Sequence, residues 1–263
     1  MHSKKNLNAH EALESLCAII KKHTDVKALS IYAYGSVVSG NFDLSLSDLD
    51  VLVVVDRSIE PEIFPELELV HVAFSLANPE WRDRLDIAYM SKDSVRVIKS
   101  SRYSCATKYN ESPFSIEEAK DHWMIDWYKV QTQSIILFGE PPLSIFPIVT
   151  SEEFREYIRQ YLLDWPDNIG AKSKQTELAY IVLTMCRSLY AFAYTENVSK
   201  AQGARWMMQE YPRFTELIQK ALLLSRSIKN NDTDDMLMKR ETAELVNFIC
   251  SNKTLEIVRG YLS

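Results

Sequence analysis

Cysteine, basic charge and long apolar runs are all scarce in this chain, and each shortage removes a class of protein from consideration. The four cysteines, Cys17, Cys105, Cys186 and Cys250, stand far apart, with no Cys-x-x-Cys pair and no histidine at metal-ligand spacing. That pattern excludes a thiolate metal site and points to buried free thiols in a reducing compartment. No apolar run approaches the length of a membrane span, and the residues from Met1 to Asn6 lack the apolar core of a signal peptide. A cytoplasmic protein with no membrane partner is expected. The formal net charge is −6, whereas nucleic-acid binders present a basic face, so no nucleic-acid partner is expected and cationic small substrates fit better. No internal repeat is found.

What remains has the make-up of a globular protein. Hydrophobic content of 46% and charged content of 25% allow a sizeable core, and 263 residues suit one large domain or two ordinary ones. Apolar residues at Ala12, Leu13, Leu16, Cys17, Ile19 and Ile20 recur at helical spacing, predicting a helix over 9–22 with Asn8 as N-cap. Strands follow over 28–34 and from Asp48 to about Asp56, then a helix over 66–77 after Pro61 and Pro65, and a third strand over 84–90. An aromatic helix carrying Trp123, Trp127 and Tyr128 is predicted over 117–133, packing on the sheet, and 135–138 reads as a short buried strand or turn. Gly139-Glu140-Pro141-Pro142, with Pro147 beyond, reads as a stiff interdomain linker, because prolines sustain neither helix nor central strand. After it glycine occurs only at Gly170, Gly203 and Gly260, and helices are predicted over 151–164, 175–194, 199–211, 213–228 and 234–250, with a short one near 253–262. The expected fold is therefore α+β, with a mixed sheet flanked by helices over 1–147 and an all-α bundle over 148–263.

The chemistry is concentrated in Tyr34-Gly35-Ser36 and, ten residues on, Ser47-Asp48-Leu49-Asp50 running into Val51-Leu52-Val53-Val54-Val55. Asp48 and Asp50 stand two apart at the head of a strand, so both carboxylates share one face. Adjacent carboxylates without an intervening base suit a hard divalent cation such as Mg²⁺, which keeps phosphate among its ligands. Gly35 lets backbone N–H groups approach a phosphate, and Ser36 adds a short hydroxyl donor. Asp-x-Asp alone would also fit an acidic strand end at the surface. Asp86, in the third strand, either completes a metal site, takes a proton from an attacking hydroxyl, or is a solvated acid at a strand edge.

Glycine-serine followed about a dozen residues later by Asp-x-Asp resembles the signature of the DNA-polymerase-β-like nucleotidyltransferase superfamily. A second set of residues narrows the resemblance. Leu183-Thr184-Met185-Cys186-Arg187 is followed by Thr195-Glu196-Asn197-Val198-Ser199-Lys200 and by Trp206, which is similar to the helical domain of the bacterial aminoglycoside O-adenylyltransferases that modify streptomycin and spectinomycin. The resemblance implies an enzyme that uses Mg²⁺, one or two ions, and ATP. Ser36 and Ser47 would contact the triphosphate, Asp48 and Asp50 would ligate the metal, and Asp86 would stand where the family has a catalytic glutamate. Arg187 and Lys200 fall on its phosphate contacts, Tyr109 near a tryptophan of the antibiotic site, and Glu177 near an aspartate that meets the substrate. Residue chemistry agrees for two of these. Ser199 is a good N-cap, placing Lys200 at a helix N-terminus that favours anions, and Arg187 supplies planar bidentate donors.

The chain also departs from the family. Asp86 is one methylene shorter than the family's glutamate, and the turn at Thr195 is one residue shorter, with Glu196 standing for its glycine and Asn197 for its first lysine. Trp165 and Asp167 align only across a gap with residues that streptomycin-modifying members use, so spectinomycin is favoured as the substrate. A further family aspartate aligns on Asp121 or His122. His2, His10, His23 and His71 read as surface or structural. The resemblance thus implies transfer of AMP from ATP to a hydroxyl of an aminoglycoside-type antibiotic, by a monomer. The alternatives are nucleotidyl transfer to a different hydroxyl acceptor, or a catalytically silent nucleotide-binding module.

Overall fold

The structure, a computed structural model, describes residues 2–22, 26–38, 42, 47–100, 102–119, 123–170, 172–225 and 233–260. It divides into two compact units, Met1–Val149 and Thr150–Ser263.

The first unit runs α1 (His2–Lys22), β1 (Ala28–Tyr34), β2 (Leu49–Val55), α2 (Phe64–Ala77), β3 (Leu85–Ser91), α3 (Lys92–Val97), β4 (Ser104–Tyr109), β5 (Ser115–Glu118), α4 (Trp123–Thr132), β6 (Ile135–Phe138) and α5 (Pro142–Ile145). The strands form one mixed sheet in the order β5-β4-β3-β2-β1-β6. Only β2 and β3 are parallel, joined by a crossover that contains α2. Their position explains the composition of β2, whose residues are all buried except Asp50, because helices cover both faces of a central parallel strand.

Strand periodicity sorts the side chains. Ile31, Ala33, Leu49, Val51, Val53, Leu85, Ile87 and Tyr89 join Leu13 and Leu16 of α1 and Leu67 and Phe74 of α2 in one core. Tyr32, Leu52, Val54 and Met90 are buried on the other face, where Tyr32 meets Phe146 edge-on and Phe146 lies against Trp127 of α4. The polar ends of the strands that carry the site belong to this second face.

Three expectations are corrected. α1 begins near His2, because no proline or glycine stops it there, so Asn8 lies within the helix and is not its cap. Residues 115–118 form edge strand β5, pairing Glu117 with Cys105 and Ile116 with Ala106, and the aromatic helix starts only at Trp123. Charged side chains such as Glu117 and Glu118 are common on edges, where they deter further pairing. The segment from Gly139 is no linker. Gly139, at φ +85°, presses on the Leu29 carbonyl and Ser30, the Glu140 N–H donates to Ser30 Oγ, and the Tyr32 hydroxyl donates to the Glu140 carbonyl. β4 and the short α3 were not anticipated.

The second unit is helical: α6 (Ser151–Leu163), α7 (Trp165–Asn168), α8 (Gln175–Tyr194), α9 (Lys200–Glu210), α10 (Thr215–Leu224), α11 (Met236–Ile249) and α12 (Asn252–Arg259). α8 is apolar nearly all round and is packed by α6, α9, α10, α11 and α12, as befits a central helix. The described cysteines are free and buried, and His71 is a buried partner of the Tyr89 hydroxyl. No helix among the described residues is long and apolar enough to cross a membrane.

Candidate active site

Asp50 and Asp86 are register partners across the parallel β2–β3 pair. Asp50 is also paired with Tyr34 on β1, and Asp86 with Tyr109 on β4. Side chains in register point to the same face, so Tyr34, Asp50, Asp86 and Tyr109 form a row across four strands. Asp48, two residues before Asp50, lies at the head of the same strand, and the Leu49 N–H donates to the Arg84 carbonyl to fix that start. Arg84 in turn donates from its guanidinium to the Ser47 carbonyl and stacks over Trp81, tying the Ser47-Asp48 segment to the opening of β3.

Gly35 follows β1 and opens a short 3-10 turn at φ +73°. A Cβ there would stand 2.1 Å from Asp50 Oδ2, so glycine makes room for this carboxylate, a tighter constraint than the phosphate approach read from the sequence. The Ser36 hydroxyl donates to the Asp48 carbonyl at 3.5 Å, so the turn and the acidic strand are joined at both residues of the glycine-serine pair.

The electrostatics show a site short of cations. Burial, with Asp86, Asp126 and Asp48 adding repulsion and Lys129 opposing, pushes the Asp50 carboxyl up to about 7. Burial and then the charge of Asp48 raise Asp86 to about 6, the Asn110 N–H pulling the other way. The Tyr34 hydroxyl is held far above its usual range by burial and by Asp126 and Asp50, and Tyr109 rises to about 12 by burial and the charge of Glu117. Asp86 Oδ1 is buried without a hydrogen-bond partner among the described residues.

A hard divalent cation fits this donor set of three carboxylates with one orphaned oxygen. Among the described residues no three acidic, histidine or cysteine groups are already drawn together as a metal cluster.

Sequence reading missed two members of this neighbourhood. Asp126 and Lys129 of α4 form an ion pair of 2.7 Å, with the Lys129 side chain only 13% exposed, and both act on Asp50. The signal was present: they are an acidic and a basic residue three apart in a helix whose other described residues from Trp123 to Val130 are buried and mostly apolar.

In the second unit, Ser199 caps α9 with a reciprocal capping box to Gln202, and Lys200 is the first helical residue, as the sequence indicated. Gly203 sits on the backbone of α8, where a Cβ would be 2.6 Å from Arg187 Cα. This close crossing sets the relation of Lys200 to Arg187. The Lys200 ammonium lies 3.8 Å over the Tyr180 ring, and Arg187 follows two turns along α8 from Tyr180. Glu177, one turn before Tyr180, is paired with Lys172 at 2.8 Å, which holds its carboxyl below the usual range. Thr195 takes the left-handed conformation that ends α8, so Glu196 need not be glycine. Trp165 stands edge-on to Tyr161, while Asp121, His122 and the Asp167 side chain lie outside the described residues.

Residues 144–252 match the family described as aminoglycoside adenylyltransferase, C-terminal domain, and residues 13–124 match the nucleotidyltransferase domain. No curated protein sequence matches the chain. Among solved structures it is similar to the spectinomycin adenyltransferase AAD(9) from Enterococcus faecialis, solved with ATP and spectinomycin. The two are 14% identical with a TM-score of 0.68, over 94% of this chain and 99% of that one, a likeness of fold. With both parts of the sequence matched in chain order and the carboxylates in register on the expected strands, the chain belongs to the aminoglycoside adenylyltransferase family of the nucleotidyltransferase superfamily.

Proposed function

We propose that this adenylyltransferase moves AMP from ATP to a hydroxyl of spectinomycin, releasing pyrophosphate, with Mg²⁺ as its cofactor. The observation that carries the reading is the in-register pair Asp50 and Asp86, flanked by Asp48. Asp48, Asp50 and Asp86 would hold the metal, which when bound neutralises charge developing on the phosphates. Gly35, Ser36 and Ser47 border these carboxylates and would meet the triphosphate, with Arg187 and Lys200 of the second unit as further phosphate contacts. Asp86, raised to about 6, is ionised at neutral pH and basic enough to take the proton of the attacking hydroxyl. Glu177 and the half-exposed Tyr109 would face the cationic drug.

Spectinomycin is preferred to streptomycin because Trp165 and Asp167 align only across a gap with the residues that streptomycin-modifying members use. Loss of streptomycin modification in Trp165→Ala would overturn that preference. A monomer in the cytoplasm, with no nucleic-acid partner, completes the reading, and the buried free cysteines are in keeping with a reducing compartment.

The test is pyrophosphate release with Mg²⁺ and ATP, screened over spectinomycin, streptomycin and other aminoglycosides. Release with spectinomycin that the Asp48→Asn/Asp50→Asn variant lacks supports the reading. Release with another drug alone moves the acceptor, and release that the variant retains removes the carboxylates from the mechanism.

A further inference from the structure

We propose that Lys129, held in place by Asp126, is a built-in counter-ion that makes metal entry at Asp48, Asp50 and Asp86 conditional on the nucleotide triphosphate. The inference rests on the metal reading above and deepens it.

α4 packs against β1 on the face of the sheet that carries the carboxylate row. From Trp123 to Val130 its other residues are buried, and it brings inward the ion pair Asp126–Lys129, at 2.7 Å and with side chains 35% and 13% exposed. Tyr34, at the end of β1, is the register partner of Asp50, and α4 packs against that same strand, so the pair belongs to the neighbourhood of the row. Stability is a poor account of it, since a sheltered ion pair can often be replaced by apolar groups at no cost. The account that uses its position is charge. The Lys129 ammonium pairs directly with Asp126 and also acts on Asp50, where it opposes the charges of Asp86, Asp126 and Asp48.

A fixed ammonium beside the carboxylates has opposite effects on two visitors. It repels a bare divalent cation entering the row, and it attracts the polyphosphate that arrives with the metal. Phosphate oxygens then offset the ammonium and add ligands, so the metal–nucleotide pair is favoured over either partner alone. Asp126 restrains Lys129 through the ion pair and tempers its charge. The coupling is reciprocal: the nucleotide must tighten the metal by the factor by which the metal tightens the nucleotide.

The test uses Mn²⁺ as the probe, titrated calorimetrically into the full chain with and without an ATP analogue that resists cleavage at the α-phosphorus. Lys129→Met, with Lys129→Gln as a second variant, is expected to bind Mn²⁺ alone about tenfold more tightly than wild type, the size expected for removal of one nearby charge. The analogue should then tighten Mn²⁺ less than it does in wild type. Asp126→Asn should act in the opposite direction and weaken Mn²⁺ alone. Damage to the site would weaken binding in every variant, so opposite signs exclude it. Mn²⁺ binding that Asp50→Asn abolishes but the Lys129 variants leave unchanged or weaken would overturn this inference alone. Mn²⁺ binding that survives Asp50→Asn would overturn the metal reading and this inference with it.

Discussion

Asp50 and Asp86 stand one strand apart in the parallel register of β2 and β3, on the same face of the sheet. Burial raises the cost of ionising both, the charge of Asp86 adds to it at Asp50, and the charge of Asp48 adds to it at both. Both carboxyls are raised, Asp50 to about 7 and Asp86 to about 6. The folded chain therefore keeps protons that the unfolded chain has released, and these groups make it less stable as pH rises from about 4 to about 7. Asp50→Asn should relieve this. Its metal-free melting temperature near pH 8 is expected to rise by about 2–4 °C, while turnover falls at least about a hundredfold. Thermal melts with a chelator, beside pyrophosphate release, check both.

Activity should carry the ionisation of Asp86. With its carboxyl near 6, kcat/KM is expected to fall as pH drops through that value, because the protonated acid cannot accept the hydroxyl proton. Asp86→Asn should lose about 10²–10⁴ in kcat and keep only the acid limb set by Asp50, whose carboxyl is also raised and is a proposed metal ligand. A pH–rate series with both proteins decides it.

Gly35→Ala is expected to be far worse than its single methyl suggests. The new Cβ would stand 2.1 Å from Asp50 Oδ2 on a backbone at φ +73°. Backbone strain of about 1–3 kcal/mol adds to displacement of the carboxylate. Activity should fall more steeply than melting temperature, since the atom displaced is a proposed metal ligand.

Gly203→Ala tests the crossing of α8 and α9. Its Cβ would meet Arg187 Cα at 2.6 Å, whereas at Gly170 nothing lies within 4 Å. Gly203→Ala should cost about 1–3 kcal/mol by overpacking and raise the KM for ATP, because Arg187 and Lys200 are moved apart. Gly170→Ala is the control and should change neither.

The sequence was most legible where one short motif fixes its own geometry. Gly35-Ser36 and Ser47-Asp48-Leu49-Asp50 lie at strand ends, and period-2 alternation alone puts the carboxylates on one face. The Ser199 cap was readable because capping is a local hydrogen bond. β4 and β5 were missed because Ser104–Tyr109 and Ser115–Glu118 are short, mixed in polarity and stabilised by their pairing with one another and with β3. Asp126 and Lys129 were missed for a related reason, because their importance comes from β1 and β2, distant in sequence. The linker reading failed at Gly139 because its positive φ serves a contact with β1 that only the folded sheet supplies.

On the proposed mechanism, AMP passes to the drug at the carboxylates Asp48, Asp50 and Asp86. The most direct measurement is to supply ATP labelled at its α-phosphorus with Mg²⁺ and spectinomycin, and to follow the label onto the drug in wild type and Asp50→Asn. Labelled spectinomycin is expected in step with released pyrophosphate in wild type, and neither in the variant. Equal labelling by both proteins, or pyrophosphate release without label on the drug, would contradict it.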